Sequence, residues 1–100
     1  MGTDEEDRPW EILMAEDNPV DVLVTREALK NVSMKHHLHV VEDREQACDF
    51  LFGTGRRFEA RQPDLILLDL NLSKKNGREI LSEIKCGPSS RNIPVVIFST

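Results

Sequence analysis

Three carboxylates that follow two apolar runs are the residues best suited to chemistry in this chain. The run Leu65–Leu68 ends on Asp69, and the run Ile12–Ala15 ends on Glu16 and Asp17. Consecutive apolar residues are typical of a strand buried on both faces, and Asp is rarely buried without a partner. We therefore expect the three acids at the mouths of two strands, where they would form a cation site that contains a nucleophile.

The chemistry open to these acids depends on a cation, because clustered carboxylates repel one another and raise each other's pKa without one. Hard oxygen ligands with no nearby cysteine favour Mg²⁺ or Mn²⁺. A carboxylate beside such an ion can attack phosphorus and form an aspartyl phosphate. Ser99 or Thr100 could then donate a hydroxyl hydrogen bond to the phosphoryl group. The simpler alternative is that Glu16 and Asp17 cap a helix and Asp69 begins a turn.

Strand-like and helix-like segments alternate along the chain, and they must position these acids. Strands are predicted at Trp10–Ala15, His37–Val41, Asp64–Asp69 and Ile93–Phe98. Three helices are predicted: from Asn18-Pro19 to about Asn31–Ser33, over Arg44–Phe52, and from Asn76 or Gly77 to Lys85. The first of them would carry an apolar stripe of Leu23, Ala28, Leu29 and Val32. This order predicts an α/β fold with a doubly wound parallel sheet. In such sheets the ligand crevice lies at the carboxyl ends of the strands, where the polar residues named above fall.

Length, charge and cysteine content narrow the function classes. Residues 1–9 are predicted to be an acidic flexible tail and residues 10–100 one small domain. A net charge of -5 argues against nucleic acid as a direct partner. We expect no membrane span and no signal peptide, because the apolar runs are short and the N-terminus is acidic. Cys48 and Cys86 are expected to be reduced thiols of a cytoplasmic protein.

As an ordered set, Glu16-Asp17, Asp69, Asn71, Gly77 and the run Ile93–Ser99 resemble a two-component response-regulator receiver domain. The segment from Asp69 to Lys85 is especially similar to single-domain receivers that work with phytochrome-type histidine kinases. The resemblance covers about residues 10–100. It implies a flavodoxin-like sheet with strand order 2-1-3-4, and a signalling switch rather than a metabolic enzyme.

The resemblance also implies a role for each matching residue. Asp69 would accept phosphate from a kinase histidine. Asp17 and Asp69 would bind Mg²⁺ (or Mn²⁺) through their side chains, Glu16 would act through water, and Asn71 would offer its backbone carbonyl. Ser99 would be the switch hydroxyl that contacts the phosphoryl group.

The chain departs from the family pattern at Ser73, where many members have proline, and after the fourth strand. Members continue through a fourth helix, a fifth strand that carries a lysine, and a fifth helix. We therefore expect a receiver that is incomplete at its C-terminus and slower in phosphotransfer. Its fourth strand, Val95–Phe98, would be an exposed edge that promotes self-association or leaves the domain marginally stable. The alternative function is a non-phosphorylated interaction or dimerisation module.

Two other chemistries are less favoured by the residues. An aspartyl-phosphate hydrolase generally needs a second Asp two positions after the nucleophile, and Asn71 stands there, which cannot transfer protons. The histidines His36, His37 and His39 suggest metal binding, but alternation along a strand lets only His37 and His39 share a face. A strand-edge histidine pair without a function is the expected interpretation.

Overall fold

The computed structural model of the chain describes residues 8–53, 62–72 and 75–98. Its elements are β1 (Trp10–Ala15), α1 (Pro19–Leu29), β2 (His36–Val41), α2 (Arg44–Phe52), β3 (Leu65–Asp69), α3 (Lys75–Cys86) and β4 (Val95–Phe98). The four strands form one parallel sheet in the order β2-β1-β3-β4. The predicted fold class and strand order are therefore confirmed, with strand starts that differ from the prediction by one or two residues.

Local capping explains where the first two helices begin and end. The side-chain oxygen of Asn18 accepts a hydrogen bond from the Val20 N–H at 2.9 Å, and Pro19 occupies the first helical position. Asp43 caps α2 in the same way, because its Oδ1 accepts from the Gln46 N–H at 2.8 Å. Gly53 ends α2 with a φ of 70°, a backbone angle that other residues rarely adopt.

The main hydrophobic core lies between one face of the sheet and the helices α2 and α3. Its buried members are Leu13, Ala15, Val41, Ala47, Phe50, Leu51, Ile66, Leu68, Leu72, Ile80, Ile84 and Ile93. Ile12 and Met14, which alternate with Leu13 and Ala15 along β1, are buried as well. A central strand buried on both faces reads as an unbroken apolar run. The same packing holds the carboxyl ends of β1 and β3 side by side.

Helix α1 does not bury the apolar stripe that the sequence predicted for it. None of its residues is buried, and Leu23 is 58% exposed. The half-buried positions are Asp21, Val22, Thr25 and Leu29. The helix starts at Pro19 as predicted, but its less exposed face shares only Leu29 with the predicted stripe. Val32 lies beyond the helix end and is also exposed. Within the described ranges, none of the helices is long and apolar enough to cross a bilayer.

Candidate functional site

The two acids at the carboxyl ends of β1 and β3 lie beside each other at one edge of the sheet. Ala15 is the register partner of Leu68, so the residues that follow them, Glu16 and Asp69, face the same edge. Glu16 is 1% exposed and Asp69 is 2% exposed. Acidic side chains are almost never buried this deeply unless they are paired or hold a cation. The sequence analysis expected three acids at the ends of these two strands, and the structure brings two of them, Glu16 and Asp69, together in a buried position.

Backbone N–H groups orient the two carboxylates, but one oxygen of Glu16 is left without a hydrogen bond within the described part of the chain. The Asn71 N–H donates to Oδ1 of Asp69 at 2.9 Å, and the Asn18 N–H donates to Oε2 of Glu16 at 3.1 Å. The other oxygen of Glu16, Oε1, is buried and has no hydrogen-bond partner among the described residues. A buried, unsatisfied carboxylate oxygen calls for a proton or a cation.

The electrostatic cost of this pair appears in the ionisation of Glu16. Burial is the main factor that raises the pKa of Glu16 from 4.5 to about 7. The neighbouring carboxyl of Asp69 adds to the increase, because two acids in contact favour a shared proton. The N–H of Asn18 opposes it by stabilising the charged form. Without a cation, Glu16 is therefore a group that takes up a proton near neutral pH.

Asp21 adds a third carboxylate that the sequence analysis did not single out. One oxygen from each of Glu16, Asp21 and Asp69 can be chosen so that all lie within 4.8 Å of one another. Asp21 belongs to the first turn of α1, and this helix starts just after the strand that carries Glu16. The place of Asp21 in the first helical turn could have revealed it from the sequence. The first turn of a helix that follows a parallel strand lies at the carboxyl edge of the sheet.

The remaining predicted site residues have different positions. Asp17 follows Glu16 at the same edge, is exposed, and is not one of the three clustered acids. Asn71 is exposed, and its N–H contacts Asp69 as described. Ser99 and Thr100 lie outside the described residues. The roles inferred for these residues stay predictions.

Gly77 brings helix α3 against the turn that follows Asp69. A Cβ atom at this position would lie 2.9 Å from the Leu70 carbonyl oxygen and 3.0 Å from the Asp69 carbonyl oxygen. The Gly77 N–H donates to the Leu72 carbonyl at 3.2 Å. Only glycine allows this approach without displacing the turn. The helix therefore supports the loop that carries Asp69 and Asn71.

The residues present fit a divalent cation with hard oxygen ligands. Glu16, Asp21 and Asp69 supply several oxygens within a small volume, and the unsatisfied Oε1 of Glu16 is accounted for by a cation or by a water bound to it. Mg²⁺ and Mn²⁺ favour carboxylate, carbonyl and water oxygens in this kind of set. The same cation would offset the repulsion that raises the pKa of Glu16.

Comparison with known proteins gives a consistent family assignment. Residues 12–100 match the family model described as "Response regulator receiver domain". The chain is 43% identical over 98 residues to response regulator Rcp1 of Synechocystis sp., which covers 98% of this chain and 67% of Rcp1.

Solved structures of two such proteins share the fold. The phosphorylated cyanobacterial phytochrome response regulator RcpA is 45% identical with a TM-score of 0.84, and the match covers 93% of this chain and 66% of RcpA. The Mn²⁺-bound form of Rcp1 is 43% identical, also with a TM-score of 0.84, over 92% of this chain and 66% of Rcp1. The chain spans about two thirds of the length of these relatives.

Proposed function

This chain belongs to the response regulator receiver domain family, and from that premise we propose that Asp69 accepts a phosphoryl group from a histidine kinase in a two-component phosphorelay. The observation that carries the proposal is the position of Asp69, buried at the end of β3 among further carboxylates. The relatives described as phosphorylated RcpA and Mn²⁺-bound Rcp1 support both the acceptor chemistry and the need for a cation.

The chemistry at Asp69 is the attack of a carboxylate oxygen on phosphorus. A new O–P bond forms as the P–N bond of a phosphohistidine breaks, and the electron pair leaves with the imidazole, which takes up a proton. The Asn71 N–H donates to Oδ1 of Asp69 at 2.9 Å, which restricts rotation of the carboxylate. Holding the nucleophile in one orientation lowers the entropic part of the barrier to such a step.

The residues that would hold the cation surround this nucleophile. We propose that Asp17 and Asp69 bind Mg²⁺ or Mn²⁺ through their side chains, that Glu16 acts through water, and that Asn71 offers its backbone carbonyl. Asp21, within 4.8 Å of Glu16 and Asp69, adds negative charge that attracts the cation. The bound cation neutralises charge on the phosphoryl oxygens during transfer.

The proposed role is a phosphorylation-dependent switch and not that of a metabolic enzyme. In this proposal the Ser99 hydroxyl contacts the phosphoryl group and reports its presence to the adjoining surface. A phytochrome-type sensor kinase is the proposed partner, supported by the phytochrome response regulator RcpA among the relatives. The two free cysteines, Cys48 and Cys86, support a cytoplasmic location.

Intact-mass analysis after incubation with acetyl phosphate and Mg²⁺ tests this function. We expect a labile gain of one phosphoryl group that Asp69→Asn abolishes and chelation of the metal prevents. Asp64→Asn is the matched control, because Asp64 precedes the same strand at its opposite end, where it contacts Arg8 and the Glu11 N–H.

Asp21→Asn and Asp17→Asn should raise the Mg²⁺ concentration needed for half-maximal phosphorylation, because each removes a negative charge from the cation's surroundings. A folded protein that binds Mg²⁺ yet gains no phosphoryl group would contradict the proposal. So would a gain of equal size in Asp69→Asn.

A second candidate function is an interaction or dimerisation module that works without phosphorylation. The specific observation in its favour is the edge strand β4, on which Val96 is 50% exposed and Ile97 is 45% exposed. Among the described residues no strand pairs with the outer side of β4, and exposed apolar residues on such an edge favour pairing with another chain. Failure of Asp69 to accept phosphate together with self-association would favour this module over the switch.

A further inference from the structure

A second cluster of ligating side chains lies at the opposite edge of the sheet from Asp69. Glu11 near the start of β1 contacts two histidines of the neighbouring strand β2. Its Oε1 lies 2.6 Å from Nε2 of His39, and its Oε2 lies 3.1 Å from Nδ1 of His37. The strand register explains the meeting, because Glu11 pairs with His37, and His39 lies two residues further along the same face.

The three side chains differ in how firmly they are held. The His39 side chain is 24% exposed, and its ring lies against Phe50 with centroids 5.1 Å apart. The Glu11 side chain is 30% exposed, and the Glu11 backbone N–H donates to Asp64 at 2.8 Å. The His37 side chain is 60% exposed. Two members of the cluster are therefore anchored by packing and backbone contacts, while the third can turn at the surface.

We propose that Glu11, His37 and His39 form a binding site for a transition-metal dication such as Zn²⁺. Imidazole nitrogen and carboxylate oxygen are the ligands that Zn²⁺ and Cu²⁺ prefer over the all-oxygen sets of Mg²⁺. Two tetrahedral ligands of Zn²⁺ lie about 3.3 Å apart, given metal–ligand distances of about 2.0 Å. The two oxygen–nitrogen contacts in the cluster, 2.6 Å and 3.1 Å, involve different oxygens of Glu11 and are shorter than this separation. A bound ion would therefore replace these two hydrogen bonds and move the three ligand atoms slightly apart from their present partners.

Closing the site requires only a small movement of one exposed ring. The ring centroids of His37 and His39 are 6.4 Å apart, whereas two imidazoles on one ion have centres about 5 Å apart. Rotation of the exposed His37 side chain would bring the two rings to the shorter separation. In the bound state each neutral ring carries its proton on the nitrogen away from the ion, Nε2 in His37 and Nδ1 in His39. The fourth position on the ion is left to water.

This site is separate from the acidic pocket and would act on a different part of the fold. Glu11 and Glu16 are five residue steps apart along the chain, which corresponds to about 16 Å along a strand. A bound ion would cross-link β1 to β2, which is at the edge of the described sheet. Because the unfolded chain does not bring Glu11 to the two histidines, binding stabilises the folded domain.

Titration of the full chain with Zn²⁺ tests the proposal, with excess Mg²⁺ present to occupy the acidic pocket. Calorimetry should show one site, and Zn²⁺ should raise the melting temperature. We expect His37→Ala and His39→Ala each to weaken Zn²⁺ binding at least tenfold. His36→Ala is the matched control, because His36 lies on the opposite face of β2, where its ring contacts the Met34 carbonyl.

Further variants separate this site from other places where Zn²⁺ could bind. Asp69→Asn and Cys86→Ser should leave the titration unchanged. Electron paramagnetic resonance of Cu²⁺ bound to the same protein should show two coordinating nitrogens, reduced to one by His37→Ala, whose exposed ring can be removed without disturbing the core. Equal losses in His36→Ala and His37→Ala, or binding that depends on Asp69 or Cys86, would overturn the proposal.

Discussion

At the scale of single residues, Glu16 has an environment that differs strongly from water. Its carboxyl is 1% exposed, lies beside Asp69, and keeps one oxygen without a hydrogen-bond partner among the described residues. This arrangement is unfavourable for a metal-free domain at neutral pH and favourable once a cation is bound. The buried acids therefore lower the stability of the metal-free domain and favour binding of a cation.

The stability of the metal-free domain should fall as the pH rises through neutrality. Glu16 has a pKa of about 7 in the folded state, against 4.5 in its ordinary state. Between pH 4.5 and about pH 7 the folded protein binds more protons than the unfolded chain. The stability that protonated Glu16 contributes is therefore complete below the lower pKa and is lost as the pH rises through the upper one. We expect the free energy of unfolding, measured in urea with a chelator, to fall by roughly 3 kcal/mol between about pH 4.5 and about pH 8.

Glu16→Gln is the comparison that assigns this loss to one side chain, because the amide does not titrate. Its unfolding free energy should change much less over the same pH range. Saturating Mg²⁺ at high pH should restore stability to the unsubstituted protein by binding the folded state alone. An equal pH dependence in the variant and the unsubstituted domain would show that another group is responsible.

At the scale of elements, the contact between α3 and the turn after β3 determines how firmly Asp69 is held. The first turns of α3 pass within van der Waals distance of the backbone carbonyls of Asp69 and Leu70, and Gly77 makes the contact. On the other side of the turn, the Leu70 N–H donates to the Phe98 carbonyl at 2.9 Å. The turn is thus held between a helix and the last described strand.

Gly77→Ala should destabilise the domain by about 1–3 kcal/mol, because a Cβ there would overlap two carbonyl oxygens. The sign of this change in the free energy of unfolding is informative, because the same substitution inside an ordinary helix stabilises a protein by up to about 1 kcal/mol. Chemical denaturation measures the effect. Ser82→Ala, at an exposed position of α3, is the control and should change the unfolding free energy by no more than about 0.5 kcal/mol. A neutral or stabilising effect of Gly77→Ala would mean that the contact is not tight.

At the scale of the whole molecule, burial is unequal on the two faces of the sheet. The face covered by α2 and α3 holds the main core, whereas helix α1 buries none of its residues. More than half of the surface is exposed for three apolar residues of α1, Val20, Leu23 and Val24, and about half is exposed for Val96 of β4. Apolar surface of this kind favours association.

Self-association through β4 should be reduced by Val96→Lys, because a charge on an edge strand opposes strand pairing. Sedimentation over a range of concentrations measures the effect, and we expect the variant to remain monomeric where the unsubstituted chain forms dimers. Val24→Lys is the control, because Val24 is also an exposed valine but lies on α1 instead of β4. If Val24→Lys alone prevents association, the helix face is the interface; a monomer at all concentrations would argue against association by either route.

The amino-acid sequence alone determined most of the secondary structure and placed Glu16 and Asp69 at the carboxyl ends of their strands. The apolar runs before Glu16 and Asp69 predicted two buried strands that end on acids, and Asn18-Pro19 predicted the start of α1. These features depend on residues close together in the chain, where alternation, capping and backbone preferences act. The strand order followed from the family resemblance and is confirmed.

Tertiary structure decided the rest, because it depends on register and helix phase between segments distant in sequence. The phase of α1 brought Asp21 to Glu16 and Asp69 and turned Leu23 to solvent. The pairing of β1 with β2 placed Glu11 between His37 and His39, residues that the sequence analysis had set aside. Local preferences do not specify which strand face meets which neighbour; burial of the shared core does.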